Sequence, residues 1–129
     1  MVKRRAARVA FHLLRCFPWL ARALLPWILT HMSFTIPVQK LRETSTLLAF
    51  HHPQPAYPLH ILILPKRAIA SLAELTPADA PLLLEVYQLV QQLVKELGLE
   101  GNGYRLIVNG GAYQELPQLH WHLVAGDRF

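Results

Sequence analysis

The chain lacks the features on which disulfide-rich and membrane-spanning proteins depend. Its single cysteine, Cys16, excludes an intrachain disulfide and fits a reducing compartment. The longest run without Lys, Arg, Asp or Glu is residues 23–39, and Pro26 and Pro37 interrupt it. A transmembrane helix needs about 20 predominantly apolar residues, so this run is short and broken. At 129 residues, without repeats, the chain is predicted to form one domain with a real core.

Acidic residues are absent from the first 30 positions, which carry six basic ones. Residues 31–129 carry seven basic and eight acidic side chains, so the formal net charge of +5 belongs to the N-terminal segment. A nearly neutral body argues against a surface that follows the phosphates of a nucleic acid. We therefore expect no nucleic-acid partner and divide the chain into a basic N-terminal segment, residues 1–30, and a domain, residues 31–129.

The N-terminal segment has the pattern of a helix that lies on a membrane surface. Four arginines share a narrow sector of a helical wheel: Arg4, Arg8, Arg15 and Arg22. Apolar side chains fill much of the rest, which is typical of an interfacial anchor, although Pro18 and Pro26 should break the helix. We expect a cytoplasmic protein in peripheral contact with the inner face of a membrane. Packing on the body or on a sister subunit is one alternative, and a signal anchor that exports the body is another.

The body combines short apolar runs with one long helical pattern. Strands are predicted at residues 46–50, 59–64, 104–109 and 118–123. A short helix is predicted at 68–75, and a long one begins after Thr76 and stops at Gly98. The long helix has an apolar stripe that we expect in the core: Leu82, Val86, Leu89, Val90, Leu93 and Leu97. The pattern indicates an α+β domain.

The last predicted strand carries the residues with most chemical potential. Successive side chains of a strand point to opposite faces, so Gln118, His120 and His122 share one face. Leu119 and Trp121 lie on the other face, as in a strand packed on a core. Two imidazoles placed in this way can form half of a metal site, a nucleophile with its support, or a pair without a function.

Several motifs together resemble the histidine triad (HIT) family. They are Leu-Ala-Phe-His at 48–51, residues 60–67 (HILILPKR), residues 103–109 (GYRLIVN) and the terminal QLHWHLVAG, in the family's order over about residues 36–126. The resemblance implies an α+β fold with an antiparallel sheet, one long and one short helix, and a homodimer. It also implies a nucleotide hydrolase or transferase, of the phosphoramidase or nucleotidyl hydrolase type, that needs neither a cofactor nor a metal.

The resemblance assigns catalytic roles to three histidines. The family signature is His-x-His-x-His, and its middle histidine is the nucleophile. His120 matches the middle position and His122 the third, while Gln118 stands at the first. His60 matches a further family histidine on a neighbouring strand. The resemblance therefore implies a nucleotidyl-histidine intermediate on His120, with His122 and His60 in support.

The resemblance also implies contacts with the nucleotide and its phosphates. The expected binding residues are Asn109, Gln118, His51, His52 and Gln114. His52 stands where relatives often carry an acid that contacts the ribose, and Glu115 aligns with a phosphate-contacting serine. A carboxylate near phosphates is repulsive unless it is paired or turned away.

Two other functions stay open at this point. These departures from the family pattern favour a non-catalytic module that binds a nucleotide or another phosphorylated ligand. The spacing of His60, His120 and His122 also permits a metal site, which ranks lower because no carboxylate or cysteine ligand is obvious.

Overall fold

One five-stranded antiparallel sheet organises the domain, in the spatial order β1-β2-β3-β5-β4. The computed structural model describes residues 2–17, 19 and 40–129. The strands are β1 (Lys40–Glu43), β2 (Leu47–His51), β3 (Leu59–Pro65), β4 (Arg105–Val108) and β5 (Trp121–Ala125). The predicted α+β class and four of these strands are confirmed. Strand β1 was not predicted, and β5 begins at Trp121, three residues later than predicted.

Helix α2 (Ala80–Glu96) packs on one face of the sheet. A single 3-10 turn (Pro77–Asp79) leads into it, where the Asp79 carboxylate accepts a hydrogen bond from the backbone N–H of Thr76. Its buried side chains are Val86, Leu89, Val90, Leu93 and Val94. The prediction that Leu97 belongs to the core is wrong, since this residue lies past the last helical turn and is 42% exposed.

The short helix predicted at residues 68–75 is reduced to one 3-10 turn, Leu72–Glu74. The reason lies in the backbone before this turn. The carbonyl of Ile69 accepts a hydrogen bond of 2.7 Å from the N–H of Leu119, so this part of the chain holds the loop before β5. A backbone carbonyl used in this way is not free for a helical hydrogen bond.

The register of the sheet determines which histidines share a face. Leu62 pairs with His122, and His60 lies two residues before Leu62, so these side chains share one face. His51 instead pairs with Ile61, which belongs to the core beneath α2. The structure therefore separates His51 from the other histidines of the predicted site.

Helix α1 (Val2–Cys16) forms where the N-terminal segment was predicted to be helical, and it ends before Pro18. A residue that precedes proline is disfavoured in the helical conformation, which accounts for this end. In the described part of the chain, no helix combines the length and the apolarity needed to cross a membrane. The predicted break at Pro26 lies outside the described residues.

Candidate functional site

Four imidazoles meet on the sheet face opposite α2. The ring centroids of His120 and His122 are 4.9 Å apart, and those of His60 and His122 are 5.1 Å apart. His52, which follows β2, brings its ring to 4.2 Å from the His60 ring. The structure thus brings together the three histidines predicted to be catalytic and adds His52, which was predicted only as a nucleotide-binding residue.

A chain of hydrogen bonds orients His60 and His122. The backbone N–H of Ala56 donates to Nδ1 of His60 (3.0 Å), so a neutral His60 carries its proton on Nε2. Nε2 of His60 lies 2.9 Å from Nδ1 of His122 and donates to it. Neutral His122 must then carry its own proton on Nε2. These hydrogen-bond partners therefore leave His122 with one N–H that can donate to a ligand.

His120 is oriented by the backbone two residues before it. Its Nδ1 lies 2.7 Å from the carbonyl oxygen of Gln118, which can only accept, so Nδ1 is the protonated nitrogen. Nε2 of neutral His120 therefore keeps its lone pair. The side chain is only 6% exposed, and its ring has a fixed tautomer and a fixed direction. These are the properties that a nucleophilic imidazole needs.

Burial keeps the whole cluster neutral. Desolvation lowers the pKa of His60 to about 4. Desolvation, followed by the neighbouring histidines, lowers the pKa of His122 and of His52 to about 3. The pKa of His120 is also lowered by burial, although its hydrogen bond to the Gln118 carbonyl and the charge of Glu115 oppose the shift. At neutral pH all four imidazoles therefore retain a lone pair.

The side chain of Gln118 anchors the loop that carries His120. Its Nε2 donates to the carbonyl oxygens of Pro65 (3.0 Å) and Arg67 (2.8 Å) at the end of β3. The residue is 2% exposed, and its Oε1 has no hydrogen-bond partner within the described ranges. Gln118 thus supports His120 twice, through its amide and through its carbonyl.

The other predicted binding residues occupy different surroundings. Gln114 uses its Nε2 to donate to the carbonyl oxygens of Ala70 (2.6 Å) and Leu116 (2.8 Å), so its amide nitrogen shapes the loop before β5. Asn109 follows β4 directly and is half-buried. Phosphate binding by these two residues stays a prediction. His51 lies on the α2 face, away from the rings.

The place of His52 in the cluster was not predicted from the sequence. The backbone N–H of Gln54 donates to its Nδ1 (2.9 Å), which fixes the ring inside a loop with three prolines. Ligand atoms of His52, His60 and His122 lie within 4.8 Å of one another, so these three residues could hold a metal ion. The metal site predicted from the sequence had His120 where this set has His52. The hydrogen bond between His60 and His122 would have to break first.

Comparisons with known proteins identify relatives of the whole domain. The model of the HIT domain family matches residues 33–129. An uncharacterized HIT-like protein of Helicobacter pylori is 33% identical over 95 residues, which cover 72% of this chain and 88% of the relative. The crystal structure of a HIT family hydrolase from Legionella pneumophila is 32% identical, with a TM-score of 0.73 over 81% of this chain and 93% of the other.

A histidine triad nucleotide-binding protein from Candida albicans is similar as well. It is 30% identical, with a TM-score of 0.65 over 78% of this chain and 75% of the other. The matched residues include the whole sheet, α2 and the histidine cluster. Together with these relatives, the match identifies the family. The chain belongs to the HIT domain family.

Proposed function

We propose that this protein is a nucleotide hydrolase or transferase that acts on phosphoramide or phosphoanhydride bonds, with His120 as the nucleophile. The observation that carries the proposal is the hydrogen bond from Nδ1 of His120 to the Gln118 carbonyl, because it leaves Nε2 as the attacking atom. The N–H of His122, oriented by His60, supports the proposal as a donor for a phosphate oxygen.

The proposed reaction takes place in two displacements. Nε2 of His120 forms a bond to the α-phosphorus as the bond to the leaving nitrogen or oxygen breaks. The leaving atom keeps the electron pair of that bond and takes up one proton. Water then attacks the phosphorus, the bond to His120 breaks, and the proton that water gives up balances the earlier one. For a phosphoramidate, one water is consumed and a nucleoside monophosphate and an amine are released.

Turnover of adenosine 5′-phosphoramidate by the full chain tests this proposal. Release of AMP by the parent, and its loss in His120→Ala, is the expected result. His51→Ala is a matched control, because this histidine lies on the other face of the sheet. Turnover that persists in His120→Ala would overturn the assignment of the nucleophile. Binding of AMP by a parent that does not release product would favour the alternative, a non-catalytic nucleotide-binding module.

We further propose peripheral attachment to a membrane through residues 1–30. Val9 and Leu13 of α1 and Phe17, which directly follows the helix, repeat every four residues, and all three are exposed, as is Trp19. Arg5 is exposed one helical turn before Val9, and apolar side chains beside a cationic one suit the surface of an anionic bilayer. Sedimentation with vesicles of phosphatidylserine and phosphatidylcholine, for the parent and for Leu13→Glu, tests this. Equal sedimentation of both proteins would exclude the exposed side chains of α1 as the contact.

We propose that the protein forms a homodimer, as its resemblance to the HIT family implies. Two features of the monomer support it: β4 is an edge strand, and α2 exposes Leu84 and Tyr87 on one side. Light scattering during size exclusion gives the mass directly, and a monomer at all concentrations would contradict the proposal.

A further inference from the structure

Helix α1 contacts two loops that flank the histidine cluster. The Nε of Arg8 donates to the carbonyl oxygen of Pro53 (3.2 Å), which directly follows His52. Arg15 lies seven residues further along the helix, close to two turns, and therefore on a similar side. Its Nε is 3.9 Å from Oε2 of Glu115, in the loop that leads to β5. The helix thus spans from one loop of the site to the other.

The opposite charges of Glu115 and Arg15 both act on the imidazoles of the cluster. The charge of Glu115 raises the pKa of His120 against the larger effect of burial, which places this carboxylate within electrostatic reach of the nucleophile. The charge of Arg15 contributes to lowering the pKa of His52. The two side chains are 44% and 49% exposed, so each can reorient and the pair is open to solvent. The proposed substrate is a phosphate anion, which Glu115 alone would repel.

We propose that Arg15, supplied by α1, is a positioning residue of the histidine site: it pairs with Glu115 and offsets its charge, so that an anionic phosphate can approach His120. This role rests on the proposed function, whose substrate is an anionic phosphoryl compound. It also makes α1 part of the site. An acid near the phosphates is then compatible with binding because its counter-charge comes from another element of the chain.

The test compares charge variants of the full chain with adenosine 5′-phosphoramidate as the substrate. Arg15→Gln exposes the repulsion by Glu115 and should raise KM about three- to fivefold, the upper part of the range for an exposed charge pair, with little change in kcat. Arg15→Gln combined with Glu115→Gln should return KM to within about twofold of the parent. Arg5→Gln removes one charge from an exposed position of the same helix and should leave KM unchanged.

Salt provides a readout that a purely structural role would not move. The ratio of KM between Arg15→Gln and the parent should fall as the salt concentration rises from about 0.05 to about 0.5 M, because the Debye length shrinks over this range from roughly 14 Å to roughly 4 Å. Thermal melts of each variant check that it is folded. Three results would overturn the inference: an unchanged KM in Arg15→Gln, an unrepaired KM in the double variant, or an equal effect of Arg5→Gln.

Binding of AMP to the same variants separates this inference from the proposed function. A parent that binds AMP without turnover would contradict the hydrolase, yet weaker AMP binding by Arg15→Gln, restored in the double variant, would still support the role of Arg15. Equal AMP affinity in the parent and in Arg15→Gln would overturn that role whether or not the parent releases product. A parent that neither binds AMP nor turns over the substrate would overturn both.

Discussion

Replacing the Gln118 amide by a carboxylate tests the hydrogen bonds that anchor the loop with His120. In Gln118→Glu the shape is nearly unchanged, but the two hydrogen bonds to the carbonyls of Pro65 and Arg67 lose their donor. Each bond contributes about 1 kcal/mol net. At pH 7 the variant must also bury a charge against two carbonyl oxygens or take up a proton, so we expect the free energy of unfolding to fall by about 3 kcal/mol.

Urea unfolding between pH 8 and pH 5 measures this loss and its cause. Because the protonated carboxyl regains one donor, the difference between Gln118→Glu and the parent should shrink as the pH falls. Gln118→Met removes the donors without adding a charge, so its loss should be smaller, about 2 kcal/mol, and nearly independent of pH. Gln88→Glu, on the exposed side of α2, should change stability little. A Gln118→Glu variant as stable as the parent at pH 7 would refute the anchoring role.

The same geometry predicts the catalytic effect of restoring a histidine at this position. A neutral imidazole has one N–H, so Gln118→His can satisfy only one of the two carbonyls. We therefore expect Gln118→His to release AMP no faster than the parent, because the Gln118 carbonyl that orients His120 would be less firmly held. A faster variant would show that the amide limits turnover.

Three further predictions concern the stability of the fold. The folded state keeps His60 neutral, with its pKa lowered to about 4, whereas the unfolded chain takes up a proton on this residue below about pH 6.5, so stability is lost as the pH falls. His60→Gln should therefore remove about 2 kcal/mol of the stability loss between pH 7 and pH 5. An unchanged pH dependence of stability in urea unfolding would contradict this. Gly126→Ala should lower the free energy of unfolding by about 1–3 kcal/mol, since φ is +85° and the new Cβ would lie 2.8 Å from Cγ of Pro58, whereas Gly101→Ala meets nothing within 4 Å and should be neutral. Leu93→Ala should lower the free energy of unfolding by about 2–5 kcal/mol in the same assay, because this side chain is buried. Leu97→Ala, at an exposed position, should lower it by less than about 1 kcal/mol. Equal losses in the two variants would refute the assigned end of α2.

The parts of the fold that follow from periodic patterns could be predicted from the sequence. The apolar runs of β2 and β3 and the stripe of α2 are of this kind. Strand β1 could not be predicted in this way, because Lys-Leu-Arg-Glu has no alternating apolar pattern and becomes a strand by pairing with β2. The prediction of a short helix at 68–75 was wrong for a related reason, since the tertiary hydrogen bond from Leu119 to the carbonyl of Ile69 competes with helical hydrogen bonds.

The site shows the same division between local and long-range information. Alternation along one strand places His120 and His122 together, but it does not give the register between strands, which decides that His51 faces α2. The position of His52 depends on the path of a loop with three prolines, and its ring contact with His60 arises only in the folded chain. The contacts of α1 with Pro53 and Glu115 join residues about 45 and 100 positions apart, beyond the reach of local patterns.

Direct detection of the intermediate on His120 tests the central claim. The full chain is mixed with adenosine 5′-phosphoramidate, stopped in alkaline denaturant, in which a bond between phosphorus and imidazole persists, and digested for peptide mass mapping. We predict one adenylyl group on Nε2 of His120 in the parent and none on the corresponding peptide of His120→Ala, together with loss of AMP release in that variant. Steady release of AMP by the parent without any adduct, or an adduct on another histidine, would contradict the account.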